Sequence, residues 1–282
     1  MADSGVKLIT VELAFGDRPF VVTESNDPTD IQLRTFEELW QKEAMISAAI
    51  ARLPHDWEYI AWIDADIQFQ RQDWAEETWH QLQHFMFVQP WATCLDMGPN
   101  LEVIQTHKSF CYQWWRNNFN PPMKSGYYPY DGSFFHPGYA WAARREAIDL
   151  VGGLFDSAIL GAGDHHMALA MIGCADKSCP LPRSNRYYQK LKIWEDRCTK
   201  YIKKDIGFCD GIILHGWHGK KKDRRYRERW DILTDNQFDP DTDLRRDAQG
   251  LWQLNVDTPR QIRLRDEIRH YFRQRSEDSI DL

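Results

Sequence analysis

No apolar run in this 282-residue chain approaches the roughly 20 residues needed to cross a bilayer. The opening stretch, MADSGVKLITVELAF, lacks the cationic region, apolar segment and small-residue cleavage site of a secretory leader. Together these absences predict a soluble, cytoplasmic protein. Positive charge is not in excess either: 35 Lys and Arg face 42 Asp and Glu, for a net charge of −7. That balance argues against a protein that coats nucleic acid, although a local basic patch is compatible with it. Close Cys-x-x-Cys pairs are missing as well. The six cysteines, Cys94, Cys111, Cys174, Cys179, Cys198 and Cys209, therefore read as reduced thiols rather than as a zinc site or a disulfide framework.

What is present suits a large α/β fold. Hydrophobic residues make up 43% of the chain, enough for a substantial core. The 13 Trp are an unusual load, and Trp both fills cores and stacks on the apolar faces of sugar rings. We read residues 1–234 as one α/β domain and residues 235–282 as a C-terminal extension with a terminal helix.

The most informative stretch is WEYIAWIDADIQF, from Trp57 to Phe69. Tyr59 to Ile63 is a short apolar run with β-branched and aromatic members, which predicts a strand covered on both faces. Asp64 and Asp66 follow at once. Two carboxylates at the end of a buried strand are costly unless paired, and a divalent cation with oxygen ligands would satisfy both. Strand ends of this kind are also where open α/β sheets bind ligands. The alternative is a strand turning into a solvated loop.

Before it, Val6 to Ala14 predicts a strand and Phe20 to Thr23 a short extended piece. Asp27 to Asp30 reads as loop. From Leu33 to Leu53 the apolar positions Phe36, Leu39, Trp40, Ile46, Ala49, Ile50 and Leu53 recur at helical spacing, and Pro54 ends the run. Strand, helix and strand in this order predict a βαβ unit. Beyond it, Asp73 to Phe85 predicts a helix and Met86 to Gln89 a strand. The aromatic stretch from Pro90 to Pro129 has weak periodicity, consistent with binding loops on an acceptor side or with a Trp-rich satellite core.

A second block is HPGYAWAARREAIDLVGGLFDSAILGAGDHHMALAMIG, from His136 to Gly173. It predicts a strand at Tyr139 to Ala143, a helix at Arg144 to Val151, a Gly152-Gly153 turn, and a further helix with Asp164 at or near its N-cap. A third is GIILHGWHG, from Gly211 to Gly219, where a buried strand precedes His215 and His218. A His-x-x-His pair at a strand end is a plausible source of a metal ligand, with His215 the nearer to the strand. The basic run KKKDRRYRERW, Lys220 to Trp230, then fits either a solvated face or a grip on a polyanion. Asp235 onwards is Asp-rich and turn-prone, and Thr258-Pro259 opens a last helix with Leu264, Ile268, Tyr271 and Phe272 on one face.

IAWIDADIQF, GGLFDSAILGAGD and HGWH, in this order, resemble the nucleotide-sugar glycosyltransferases of GT-A fold, in particular the large inverting family two. The resemblance spans roughly residues 6 to 230. It implies a Rossmann-like, mostly parallel central sheet flanked by helices. It implies Mn²⁺ or Mg²⁺ as cofactor, a nucleotide-sugar donor such as a UDP-sugar, and a hydroxyl acceptor on a glycan, a small molecule or a modified nucleic acid. By the same resemblance Asp64 meets the nucleotide, Asp66 and a late histidine (His215 or His218) hold the metal, and Asp164 is the general base. Glu12, Arg34 and Lys42, the last two placed on the first helix, are further candidates for nucleotide contacts. Members of this group open with a strand and helix ahead of the unit seen here, and Val6 to Ala14 matches their second strand. Two other functions fit some of the same residues. Asp164-His165-His166 spells the signature of one class of metal-dependent phosphoesterases, and a transferase without its first strand would bind nucleotide-sugar without turnover.

Overall fold

The computed structural model describes residues 5–120 and 135–277. In chain order they form β1 (Thr10–Phe15), β2 (Asp30–Thr35), α1 (Lys42–Ile50), β3 (Tyr59–Ile63), β4 (Ile67–Phe69), α2 (Trp74–Leu82), β5 (Phe87–Gln89), β6 (Thr93–Met97) and β7 (Val103–Ser109). Then come α3 (Phe110–Arg116), β8 (Phe135–His136), β9 (Ala140–Arg144), α4 (Arg145–Val151), α5 (Gly163–Met171), α6 (Arg186–Arg197), β10 (Ile206–Phe208) and β11 (Ile212–His215). The chain ends through α7 (Arg229–Asp235), α8 (Pro240–Asp243), β12 (Leu244–Arg246), β13 (Trp252–Leu254) and α9 (Pro259–Arg273). The molecule is a mixed α/β fold. No helix among the described residues is long and apolar enough to cross a membrane.

The strands fall into several sheets rather than one. The order β10-β5-β9-β3 forms a four-stranded sheet in which β9 runs antiparallel to both neighbours, while β5 and β10 are parallel. The small side chains of Ala140, Ala142 and Ala143 suit β9 to this central place, where every one of them is buried. Trp62 and Trp141 face each other across the β3–β9 ladder and anchor the main core. A second, mixed sheet has the order β4-β11-β6-β7-β8. β1 and β2 pair only with each other, in parallel.

Three expectations change. The helix expected from Leu33 is preceded by β2, and only Lys42–Ile50 is helical. Ile31 and Leu33 belong to a strand paired with β1, so Arg34 sits on that strand and not on the first helix. Phe20 to Thr23 is not a strand; the Glu12 carboxylate accepts from the amides of Val21, Val22 and Thr23 and holds the segment as a turn. The stretch after Pro90, read as irregular, contains β6, β7 and α3, and residues 121 to 129 of it lie outside the described residues.

The segment after residue 235 shares the core. Leu244, Leu254, Leu264, Ile268 and Tyr271 are buried in the main cluster, and Leu251 packs with Leu33, Ala44 and Ala48. β1 and β3 do not pair with each other. Residues of both strands, together with Met45 and Ile46 of α1 and Trp74 and Trp79 of α2, line a single cleft of about 2670 Å³.

A candidate metal centre in the cleft

At the end of β3 the chain turns at Asp64-Ala65-Asp66 and runs back as β4, antiparallel to β11. This reversal pairs Ile67 with His215, and Gly216 N donates to Asp66 O at 2.8 Å. Residues 150 positions apart are thereby fixed side by side. Asp66 Oδ2 lies 3.4 Å from His215 Nε2 and 3.5 Å from His218 Nε2, and the two imidazole nitrogens are 2.9 Å apart. Among the described residues these three alone form a group able to hold a metal ion, with one ligand atom from each within 4.8 Å of the others.

The donor set fits a divalent cation. Asp66 Oδ1 is buried and has no hydrogen-bond partner, a costly condition that a cation would relieve. Two imidazoles and one carboxylate suit a first-row transition ion better than Mg²⁺, which prefers oxygen ligands throughout. Burial pulls the His218 imidazole down to about 4, with Arg224 and His215 adding to it, so this ring stays neutral and able to ligate near neutral pH. Burial also depresses His215, but the carboxylates of Asp66 and Asp96 on its two sides outweigh it and leave the ring above its ordinary value.

Asp64 lies outside this triad. Its amide donates to Tyr139 O at 2.8 Å and its carboxylate pairs with Lys42 Nζ at the start of α1. Burial raises the Asp64 carboxyl, and the Lys42 ammonium works against that rise. Asp164 is the second residue of α5. The N-cap position belongs to Ala162, held at φ 79°, and Asp164 lies near it in the first turn, as expected, without making a cap hydrogen bond. Its Oδ1 accepts from His165 N at 2.7 Å, while Oδ2 lies over Gly138. Tyr139 also has positive φ, 75°. Two non-glycine residues in this costly region, beside Asp64 and Asp164, mark backbone held in place by its surroundings.

Lys42, Asp64, Asp66, Asp164, His215 and His218 all line the cleft. Glu12 and Arg34 do not. Glu12 is occupied with the 21–23 turn, its carboxyl lowered to about 2 chiefly by the Thr23 hydroxyl. Arg34 donates to the carbonyls of Gly16 and Arg18 and stacks over Phe20. The basic run does reach the site: Lys221, Lys222, Arg224, Arg225 and Arg229 are on the cleft wall.

No protein-family model, curated protein or solved structure matches the chain.

Several of its residues carry no signal in the sequence. Asp96, in the middle of β6, is 2% exposed and bonds to His215 and His107. Glu43 is buried beneath the Asp64–Lys42 pair, and burial raises its carboxyl to about 8 against the pull of Lys42. Arg275, behind Trp40, Tyr271 and Phe272, brings a cation from the far end of the chain to the same cleft. His166, by contrast, is fully buried, with Nδ1 2.8 Å from Ser178 Oγ. His165 stacks on Phe135, and burial lowers it to about 4.

Proposed function

We propose that the chain is a metal-dependent glycosyltransferase that moves a sugar from a nucleoside-diphosphate donor to an acceptor hydroxyl. The observation that carries this is the triad of Asp66, His215 and His218, with its orphaned carboxylate oxygen, in one cleft with the separate carboxylate of Asp164. Asp66, His215 and His218 would hold the ion. A bound Mn²⁺ would supply Lewis-acid polarisation of the donor's diphosphate. Asp164 takes the proton of the acceptor hydroxyl as its oxygen bonds to the anomeric carbon and the bond from that carbon to the diphosphate oxygen breaks. Lys222 and Arg225 on the cleft wall would balance the charge that develops on the leaving group. Lys42 holds Asp64 at the end of β3, where the nucleotide would lie.

Binding of nucleotide-sugar without turnover is the second reading, favoured by the gap between β1 and β3 on one wall of the cleft. A phosphoesterase centred on Asp164-His165-His166 has no such support, since His166 is enclosed by protein. The test is a screen of nucleotide-sugars for Mn²⁺-dependent release of nucleoside diphosphate, repeated with Asp66→Ala and Asp164→Ala. Both variants are expected to lose turnover, and only Asp66→Ala to lose metal-dependent nucleotide affinity. Full turnover in either variant would remove that residue from its role.

A further inference from the structure

Behind the triad, Asp96 is a carboxylate with almost no access to solvent and a full set of donors. β6 and β11 are parallel neighbours, and their register sets Asp96 opposite His215. Asp96 Oδ1 accepts from the Tyr139 hydroxyl at 2.9 Å and from His215 Nδ1 at 2.8 Å. Oδ2 lies 2.6 Å from His107 Nε2 and accepts from Lys221 Nζ. Cys94 Sγ approaches Oδ1 as well, at 3.8 Å, so the roughly four lone-pair sites of the two oxygens are all taken up by neighbours. A β-bulge between Asp96 and Met97 ends the regular ladder at this position.

We infer that Asp96 is a positioning residue for the metal centre: it accepts the hydrogen bond of His215 Nδ1–H, so that Nε2 faces Asp66 and His218 with its lone pair free, and it ties Lys221 of the basic segment to the same point. The inference rests on the metal centre proposed above and extends it to the residues behind it. A histidine with one nitrogen on a metal has its ring orientation and tautomer fixed by whatever accepts from the other nitrogen. Asp96 alone among the partners of His215 contacts Nδ1; Asp66 and His218 both lie at Nε2. An uncharged amide at position 96 would keep one acceptor oxygen and turn an NH₂ toward groups that are themselves donors.

The experiment is an Mn²⁺ titration followed by electron paramagnetic resonance on the wild-type chain, Asp96→Asn and His107→Gln. Asp96→Asn is expected to bind Mn²⁺ about 10- to 100-fold more weakly. His107→Gln disturbs the same buried cluster without touching a ligand, and should stay within a few-fold of wild type. Equal losses in both variants would mean that the cluster acts only as packing and would overturn the inference. Should Asp96→Asn fail to fold, nitrogen NMR of the metal-free wild type in alkaline buffer decides it. A proton on His215 Nδ1 supports the assignment; one on Nε2 overturns it. A wild-type chain that takes up no Mn²⁺ would remove the metal centre and this inference with it. Wild-type uptake with unchanged affinity in Asp96→Asn would remove this inference alone.

Discussion

Two single residues set the state of the acidic groups around Lys42. Gly138 lies so close under Asp164 that a Cβ built on it would be 2.5 Å from Asp164 Oδ2 and 3.1 Å from His136 Cε1. Its missing side chain is space the carboxylate uses. Gly138→Ala should displace Asp164, and if Asp164 is the base proposed above, a shift near 1 Å costs on the order of 100-fold in rate. Mn²⁺ affinity should hold, because the triad is set by the β4–β11 ladder; wild-type turnover in Gly138→Ala would mean that the position of Asp164 does not matter. Glu43 sets a pH dependence of stability. Its carboxyl is raised to about 8 in the fold, first by burial, against 4.5 for a solvated glutamate side chain. Between those values the folded protein keeps a proton that the unfolded chain has released, so this contribution is complete below the lower value and fades as pH rises through the upper one. Glu43→Gln keeps the shape and removes the ionisable carboxyl, and should gain on wild type by up to about 5 kcal/mol on the alkaline side. Urea unfolding of both proteins on either side of the window checks it, and parallel pH profiles would sink it.

The elements differ in how openly the chain announces them. α2, α4, β9 and β11 were legible because the apolar pattern that forms each lies within the element itself. β2 was not. Phe36 prolongs an apparent helical spacing, yet it is 62% exposed and joins no core, and what makes Asp30–Thr35 a strand is pairing with β1, twenty residues upstream. β7 was hidden for a related reason, since Val103 and Ile104 face solvent and the rest of the strand is polar. The site divides the same way: strand-end residues such as Asp66 and His215 stand out beside an apolar run, whereas Asp96 acquires its meaning only through the register of two strands. α9 was announced by its cap. Thr258 Oγ1 accepts from Gln261 N at 3.3 Å and Gln261 Oε1 accepts from Thr258 N at 3.1 Å, a capping box. Tyr271 of this helix donates its hydroxyl to Arg224 O, so the helix braces the basic wall of the cleft. Thr258→Ala should cost about 1 kcal/mol and lower the melting temperature by about 2–4 °C. An unchanged melting temperature would show that the cap contributes nothing to the fold.

At the scale of the whole molecule, the cleft exists because two sheets stop short of each other. β3 is as apolar as a fully covered strand, yet it is paired on one side only, and Ala61 in its middle is exposed. The antiparallel ladder settles which backbone groups face outward. Asp64 N donates to Tyr139 O and Glu58 O accepts from Arg145 N, so residues 58 and 64 both point toward β9. Strand alternation then turns Ile60 and Trp62 the same way, and leaves the amides of Tyr59, Ala61 and Ile63 toward the cleft. Hydrogen exchange resolved by residue should show this as an alternation inside one short strand. Ile60, Trp62 and Asp64 are expected to be protected, and Tyr59, Ala61 and Ile63 to exchange far faster through direct contact with solvent. The cleft wall that includes these amides continues to Asp66 and the two histidines, so water at the edge of β3 has an open path to the candidate metal site. Uniform protection along Tyr59–Ile63 would mean that this edge is covered in solution, and that the site is bounded on this side by protein and not by solvent.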